Sequence, residues 1–144
     1  MIVVDTSALA AIVFKEPERD SFVKAILSAD KALVCTATAL EARMVVQGRK
    51  GQAGVLLLND FLGLPVFELV APTALELEVA YAAFVTFGKG SGHPAQLNFG
   101  DLFSYAVAKS RNLPLLYKGN DFSCTDLQSA FLGDEKTFKS VECR

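Results

Sequence analysis

The chain opens with MIVVDTSAL (residues 1–9), in which a short apolar run leads directly into an acid. Ile2, Val3 and Val4 lack the alternation of a half-exposed strand, which is typical of a strand covered by helices on both faces. Asp5 then stands at the carboxyl end of that strand, where open parallel sheets bind their ligands. The stretch therefore predicts the first strand of a parallel sheet, with a carboxylate at its ligand-binding edge.

Short apolar runs and helical stretches alternate along the rest of the chain. Further strands are predicted at residues 33–35, 66–70 and 115–117, with a small fifth one at Val141. Helices are predicted at residues 6–14, 19–29, 39–47, 55–62, 73–87 and 100–111. This alternation predicts an α/β fold with a mostly parallel central sheet of four or five strands flanked by helices.

Length and charge set limits on the class of protein. The 144 residues fit a single domain, residues 1–144, with one core. No apolar stretch approaches the roughly 18 residues of a membrane helix. No basic and then apolar leader is visible, so a cytoplasmic protein without membrane contact is expected. The net charge of −2 gives no overall basic surface, so any nucleic-acid contact must be local or mediated by bound cations.

Three further acids stand where an apolar run gives way to a turn or a helix start: Glu41, Asp101 and Asp121. Asp121 follows the last predicted strand. Glu41 and Asp101 lie in the first turns of helices that can begin on the same side of the sheet, where the helix dipole favours anions. Clustered carboxylates repel one another unless divalent cations neutralise them. Because ligands with only oxygen donors select hard ions, the pattern predicts a Mg²⁺ or Mn²⁺ site.

Each of these acids also has a purely structural explanation. Glu41 and Asp101 occupy the fourth position of a capping-box spacing, in Thr38-x-x-Glu41 and Asn98-x-x-Asp101. Asp5 could cap the helix that follows it, and Asp121 could be a turn residue. The functional interpretation therefore depends on the four acids together, and on the position of Asp5 directly after a buried strand.

Three stretches of the sequence resemble a known family. MIVVDTSAL is similar to the start of PIN-domain ribonucleases, and NFGDLFSYA (98–106) and LYKGNDF (116–122) resemble VapC toxins of bacterial toxin–antitoxin pairs. The resemblance covers nearly the whole chain and implies a single PIN domain with a three-layer fold. It also implies a Mg²⁺- or Mn²⁺-dependent endoribonuclease. The catalytic and metal-binding residues would be Asp5, Glu41, Asp101 and Asp121.

The same resemblance implies partners. VapC proteins commonly dimerise and are inhibited by a VapB antitoxin, so a homodimer, an RNA substrate and a VapB-type antitoxin are expected. Weaker substrate-positioning candidates are Thr6, Asn120 and Arg43, and Asp126 is a minor candidate for metal binding. Further cations that could contact RNA phosphates are Arg49, Lys50, Lys89 and Lys118. The apolar stretch 55–62 either faces a partner or is simply a buried helix.

Two rival functions remain at this point. One is a non-catalytic PIN-like interaction module. The other is a different metal-dependent phosphate-processing enzyme, since such enzymes also place aspartates at strand ends. A haloacid-dehalogenase-like site would require a second aspartate two residues after the first, where this chain has Ser7. The only histidine, His93, lies in a glycine-rich loop and is interpreted as a solvated loop residue rather than as a general base.

Overall fold

A computed structural model of the protein describes residues 1–131. Its sheet consists of β1 (Ile2–Val4), β2 (Ala32–Cys35), β3 (Phe67–Val70) and β4 (Leu115–Leu116). All the neighbouring strands are parallel, in the order β3-β2-β1-β4, which confirms the predicted parallel sheet. A parallel bridge between Leu115 and Ser129 extends the sheet beyond β4. The fifth strand predicted at Val141 falls outside the described residues.

Within residues 1–131, five helices connect and cover these strands: α1 (Thr6–Val13), α2 (Arg19–Leu27), α3 (Thr36–Leu62), α4 (Ala74–Phe87) and α5 (Phe99–Arg111). Successive strand residues point to opposite faces of the sheet. Val4 packs into one apolar cluster with residues of α1, α2 and α3, whereas Val3 packs into another with residues of α4 and α5. Both faces are therefore covered, which explains why the strands are continuously apolar. The predicted three-layer α/β fold is confirmed.

The prediction of two helices at 39–47 and 55–62 is confirmed, with both segments longer than predicted and numbered together as α3 because they meet at a kink. The helix begins at Thr36 and runs through Gly48, where the sequence had suggested an end. It bends instead at Gly51, whose φ of 63° and ψ of −164° lie in a region that is essentially restricted to glycine. Because the helix begins at Thr36 with Cys35 as the N-cap, Thr38 lies inside it, and the predicted capping box of Thr38 and Glu41 is wrong.

The order of the strands creates a crevice beside β1. The chain passes from β1 outward to β2 and β3, and then crosses back to place β4 on the other side of β1. In open parallel sheets, ligands bind at the carboxyl ends of the strands where the order reverses in this way. The crevice therefore lies between the residues that follow β1 and those that follow β4. No helix within residues 1–131 is both long and apolar enough to cross a membrane.

Candidate active site

The four predicted acids lie around this crevice. Asp5 directly follows β1, and the exposed Asp121 lies in the turn after β4. Asp101 is the third residue of α5, and Glu41 is the sixth residue of α3, a turn further along its helix than the sequence suggested. Burial raises the pKa of Asp101 to about 7, and the negative charges of the other three acids contribute to this rise. The fold therefore brings all four carboxylates within electrostatic reach of one another.

Asp5 is the most completely hydrogen-bonded of these acids. Its side chain is 3% exposed and caps α1 by accepting from the backbone N–H of Ser7 (2.9 Å). The hydroxyls of Ser7 and Ser104 also donate to it, at 2.7 and 2.6 Å respectively. The structural interpretation of Asp5 as a helix cap is therefore confirmed. The same carboxylate is near enough to Glu41 and Asp101 for its charge to raise the pKa of both.

Asp101 likewise has a capping function. Its Oδ2 accepts from the backbone N–H of Asn98 (2.8 Å), and its own N–H donates to Asn98 Oδ1 (3.0 Å), which forms the predicted capping box. Among the described residues, no donor reaches Oδ1 of Asp101. One oxygen thus holds the start of α5 in place, while the other remains available to a ligand.

Glu41 packs its carboxylate against the first turn of α5. A Cβ atom built onto Gly100 would lie 1.9 Å from Glu41 Oε2 and 2.7 Å from Oε1, so only glycine leaves room for this carboxylate. Burial raises the pKa of Glu41, the charge of Asp5 adds to the rise, and a hydrogen bond with the Thr6 side chain opposes it. Glu41 therefore joins α3 to the N-terminal turn of α5 beside Asp101.

The negative charge of the crevice is not balanced by protein cations. Within residues 1–131, none of the four acids forms an ion pair with lysine or arginine. Lys118 binds Glu16 (2.5 Å) and Glu18 (3.1 Å) instead. A donor set made only of carboxylate oxygens, with raised pKa values at Glu41 and Asp101 and no neutralising side chain within residues 1–131, fits a hard divalent cation.

The carboxylates do not already form a closed coordination sphere. Among the described residues, no three acidic, histidine or cysteine side chains are close enough together to hold a metal ion. Coordination of one cation by three or more of these carboxylates therefore requires them to move toward one another, whereas one or two carboxylates could bind Mg²⁺ together with water. Glu41 and Asp121 are the candidates for that movement, because both are less buried than Asp5 and Asp101.

Comparison with known proteins agrees with this geometry. The family model described as "PIN domain" matches residues 2–126. The ribonuclease VapC30 of Mycobacterium tuberculosis is 41% identical over 131 residues, which cover 91% of this chain and 99% of VapC30. This chain is a PIN-domain protein of the VapC family.

Two solved structures share its PIN-domain fold. The first is M. tuberculosis VapC20, a toxin that cleaves the Sarcin-Ricin loop, with a TM-score of 0.73 at 19% identity. The match covers 88% of this chain and 96% of VapC20. The second is VapBC2 from Rickettsia felis bound to a DNA fragment from their promoter, with a TM-score of 0.72 at 17% identity. This match covers 90% of the present chain and 97% of the other.

The weaker candidates lie at the edges of the PIN-domain site or outside it. Thr6 contacts Glu41, as noted above, and Asn120 is exposed next to Asp121. Arg43 Nε donates to Asn59 Oδ1 (2.9 Å), which links the two halves of α3 across their kink. The carboxylate of Asp126 accepts from Tyr105 and from Lys109, both at 2.6 Å, and is not among the charges that act on Asp101.

Arg49 and the histidine have contacts away from the four acids, whereas Lys50 and Lys89 do not form ion pairs within the described residues. Arg49 lies 3.6 Å from Glu16 and places its guanidinium 4.2 Å from the centre of the Phe14 ring. His93 accepts through Nδ1 from the backbone N–H of Ala95 (3.1 Å), in agreement with its interpretation as a loop residue. Lys50 and Lys89 are exposed and form no ion pair within the described part of the chain.

The sequence did not predict the hydroxyl residues that surround Asp5. Ser7 and Ser104 bind Asp5, and the hydroxyl of Thr38 lies 3.2 Å from that of Ser104. The available signal was the spacing of Ser104, three residues after Asp101 and hence on the same face of α5. The contact with Asp5 could not be foreseen, because it joins residues 99 positions apart.

Replacing Gly100 by alanine is expected to lower activity without lowering stability. The added Cβ must displace the Glu41 carboxylate, which is the flexible end of a side chain, while alanine favours helix formation. We expect RNA cleavage to fall by about 10- to 100-fold, the usual range for a partner that orients a metal ligand. The thermal midpoint should not fall.

The matched control is Gly48→Ala on the helix that carries Glu41, where an added Cβ meets no atom within 4 Å. It should retain wild-type cleavage. Equal cleavage rates for the Gly100→Ala variant and the wild type would show that the position of Glu41 does not matter.

Proposed function

We propose that this VapC-family protein is a Mg²⁺- or Mn²⁺-dependent endoribonuclease that hydrolyses RNA phosphodiester bonds. The observation that carries the proposal is Asp101, a buried acid with a pKa of about 7 that is influenced by three further carboxylates and forms no ion pair within residues 1–131. This much uncompensated charge destabilises the metal-free crevice and favours a divalent cation. The ribonuclease VapC30 is 41% identical to this chain in a match that covers 99% of VapC30, and this similarity supports RNA as the substrate.

Each acid has a role in this proposal. Asp5 and Asp101, which are held by helix caps, form the rigid part of the cation site. Glu41 and Asp121 complete it by moving inward. A divalent cation bound there would stabilise the charge of the phosphate and activate water for attack. Thr6 restrains Glu41 by a hydrogen bond, and Asn120, next to Asp121, is positioned to meet the RNA.

Few positively charged residues are available to contact the RNA phosphates. Lys50 and Lys89 are exposed and free of ion pairs within the described residues, so they are the first choices to bind phosphates. Arg43, Arg49 and Lys118 would first have to give up the contacts described above. Because the chain has a net charge of −2 and few cations free to contact phosphates, we expect weak binding to RNA without the metal ion.

Protein partners are the second part of the proposal. We propose that the chain forms a homodimer and binds a VapB-type antitoxin, as the VapBC complex of Rickettsia felis suggests. In the stretch 55–62, Leu58 and Leu62 are buried, whereas Leu56 and Leu57 are more than half exposed. An apolar groove of about 440 Å³ also lies between α4 and α5, with Phe99 at its edge. Such exposed apolar surface is typical of interfaces between proteins.

The activity can be tested directly with the purified full-length protein. RNA cleavage should appear with Mn²⁺ or Mg²⁺, stop when EDTA is added, and return when the metal is restored in excess. Fragments with mapped ends would identify the cut site. A protein that binds Mn²⁺ without cutting RNA would favour another phosphate-processing enzyme. A protein that binds neither cation would favour a non-catalytic interaction module.

A further inference from the structure

The hydrogen bonds to Asp5 distinguish its two carboxylate oxygens. Oδ2 accepts two, from the backbone N–H and from the hydroxyl of Ser7, at 2.9 and 2.7 Å. Oδ1 accepts one, from the hydroxyl of Ser104 at 2.6 Å. Because a carboxylate oxygen offers two lone-pair directions, Oδ2 is fully used and Oδ1 retains one free direction. Only Oδ1 can thus bind a further ligand without losing a protein hydrogen bond.

The direction of each hydrogen bond follows from the number of protons. Ser104 has one hydroxyl proton and gives it to Asp5, so the 3.2 Å contact with Thr38 requires Thr38 to donate to Ser104. On the other side, the backbone N–H of Lys118 donates to the Ser7 hydroxyl (3.0 Å), which in turn donates to Asp5. Both chains of hydrogen bonds therefore end on this one carboxylate.

These hydroxyls also connect the elements that carry the other acids. Ser104 belongs to α5, one turn after Asp101, and Thr38 belongs to α3, three residues before Glu41. Lys118 begins the segment that leads to Asp121. Ser104 is completely buried, so water cannot replace its hydrogen bond to Asp5. A change in the orientation of Asp5 would thus be transmitted to every element of the site.

We propose that Ser104 is a positioning residue that fixes the Asp5 carboxylate so that Oδ1 is the oxygen that binds the catalytic cation. The inference rests on the proposed function, because it assigns this residue a role in the cation site. Hydrogen-bond partners that orient metal ligands typically contribute 10- to 100-fold to metal affinity. Ser104 does not itself contact the cation, and acts through Asp5.

The test is direct titration of metal-free, full-length protein with Mn²⁺ alone, followed by electron paramagnetic resonance of the free ion. We expect Ser104→Ala to weaken Mn²⁺ binding about 10- to 100-fold. Cleavage by this variant should approach the wild-type rate once Mn²⁺ is saturating, because all four acids remain. Ser110→Ala changes an exposed serine on the same helix and should bind Mn²⁺ like the wild type.

A second variant and a second measurement make the test independent of the stability of Ser104→Ala. Thr38→Val keeps the shape of the side chain but removes the donor to Ser104, so a smaller weakening of Mn²⁺ binding is expected. A structure of the wild type with Mn²⁺ should show Asp5 bound through Oδ1. Coordination through Oδ2 would overturn the inference.

The possible results separate this inference from the proposed function. If the wild type binds Mn²⁺ and cuts RNA, and Ser104→Ala binds Mn²⁺ equally well, Ser104 is merely structural and only the inference fails. A lower thermal midpoint in EDTA with unchanged Mn²⁺ affinity leads to the same conclusion. If the wild type binds no Mn²⁺, both the inference and the proposed function fail.

Discussion

Replacing Asp101 by asparagine is expected to abolish metal-dependent RNA cleavage while the protein remains folded. Asparagine has the same shape as aspartate, and its amide oxygen can still accept the hydrogen bond from the backbone N–H of Asn98. The substitution therefore removes a charged ligand and preserves the start of α5. Removing a residue that only hydrogen-bonds to a metal ligand lowers metal affinity or activity about 10- to 100-fold. Removing the ligand itself should therefore lower the cleavage rate by more than about 100-fold.

The measurement is the initial rate of cleavage of a fluorogenic RNA across a range of Mn²⁺ concentrations. Asp126→Asn is the matched control, because Asp126 is bound to Tyr105 and Lys109 outside the cluster of four acids. This control should cleave at nearly the wild-type rate. Circular dichroism should show the same helical content for both variants. Cleavage that survives in a folded Asp101→Asn protein would rule out the proposed catalytic site.

The sequence was sufficient to predict the parts of the site that depend on local chain geometry. The apolar run before Asp5 identified a strand covered on both faces, and the spacing of Asn98 and Asp101 identified a capping box. Because parallel strands end at one edge of the sheet, Asp5 and Asp121 could be expected to approach each other. These predictions needed no knowledge of distant contacts.

The remaining features depend on contacts that sequence patterns do not carry. Either Gly48 or Gly51 could have ended the third helix, and only the backbone angles show that the chain bends at Gly51. The contact of Arg43 with Asn59 depends on the direction of that bend. Ser104 appeared to be an ordinary polar residue of a helix, because its partner Asp5 is distant in the sequence.

The second large effect concerns the stability of the metal-free protein, which is expected to fall as the pH rises from about 5 to 7. The pKa of Asp101 is about 7 in the folded protein, mainly because of burial, against an ordinary value of 3.8. Between these values the folded state binds more protons than the unfolded state, so the free energy of unfolding decreases with pH. Between pH 5 and 7 the loss from this residue is at most about 2 to 3 kcal/mol. Glu41, whose pKa is raised by burial and by Asp5, acts in the same direction.

Acids with lowered pKa values do not cancel this trend. The hydrogen bond from Lys118 lowers the pKa of Glu16 below its ordinary 4.5. Burial opposes the shift at Glu76, but hydrogen bonds with Thr73 and Arg111 still bring its pKa below 4.5. Such groups stabilise the fold above their unfolded pKa values and lose that contribution as the pH falls. Their effect is therefore confined to pH values below about 4.5, outside the window in which Asp101 acts.

A divalent cation should weaken or remove this dependence on pH, because it binds the ionised carboxylates and competes with protons. Thermal unfolding in EDTA should show a lower midpoint at pH 7.5 than at pH 5.5, whereas in excess Mg²⁺ or Mn²⁺ that deficit should shrink or disappear. The Asp101→Asn variant has no charge at this position, so in EDTA it should be more stable than the wild type at pH 7.5. Its midpoint should vary less over the same range than that of the wild type, and the remaining pH dependence should come from Glu41. A wild-type midpoint that is independent of pH and of added cation would mean that the four carboxylates do not share one crevice, because clustered anions without a counterion cannot avoid this repulsion.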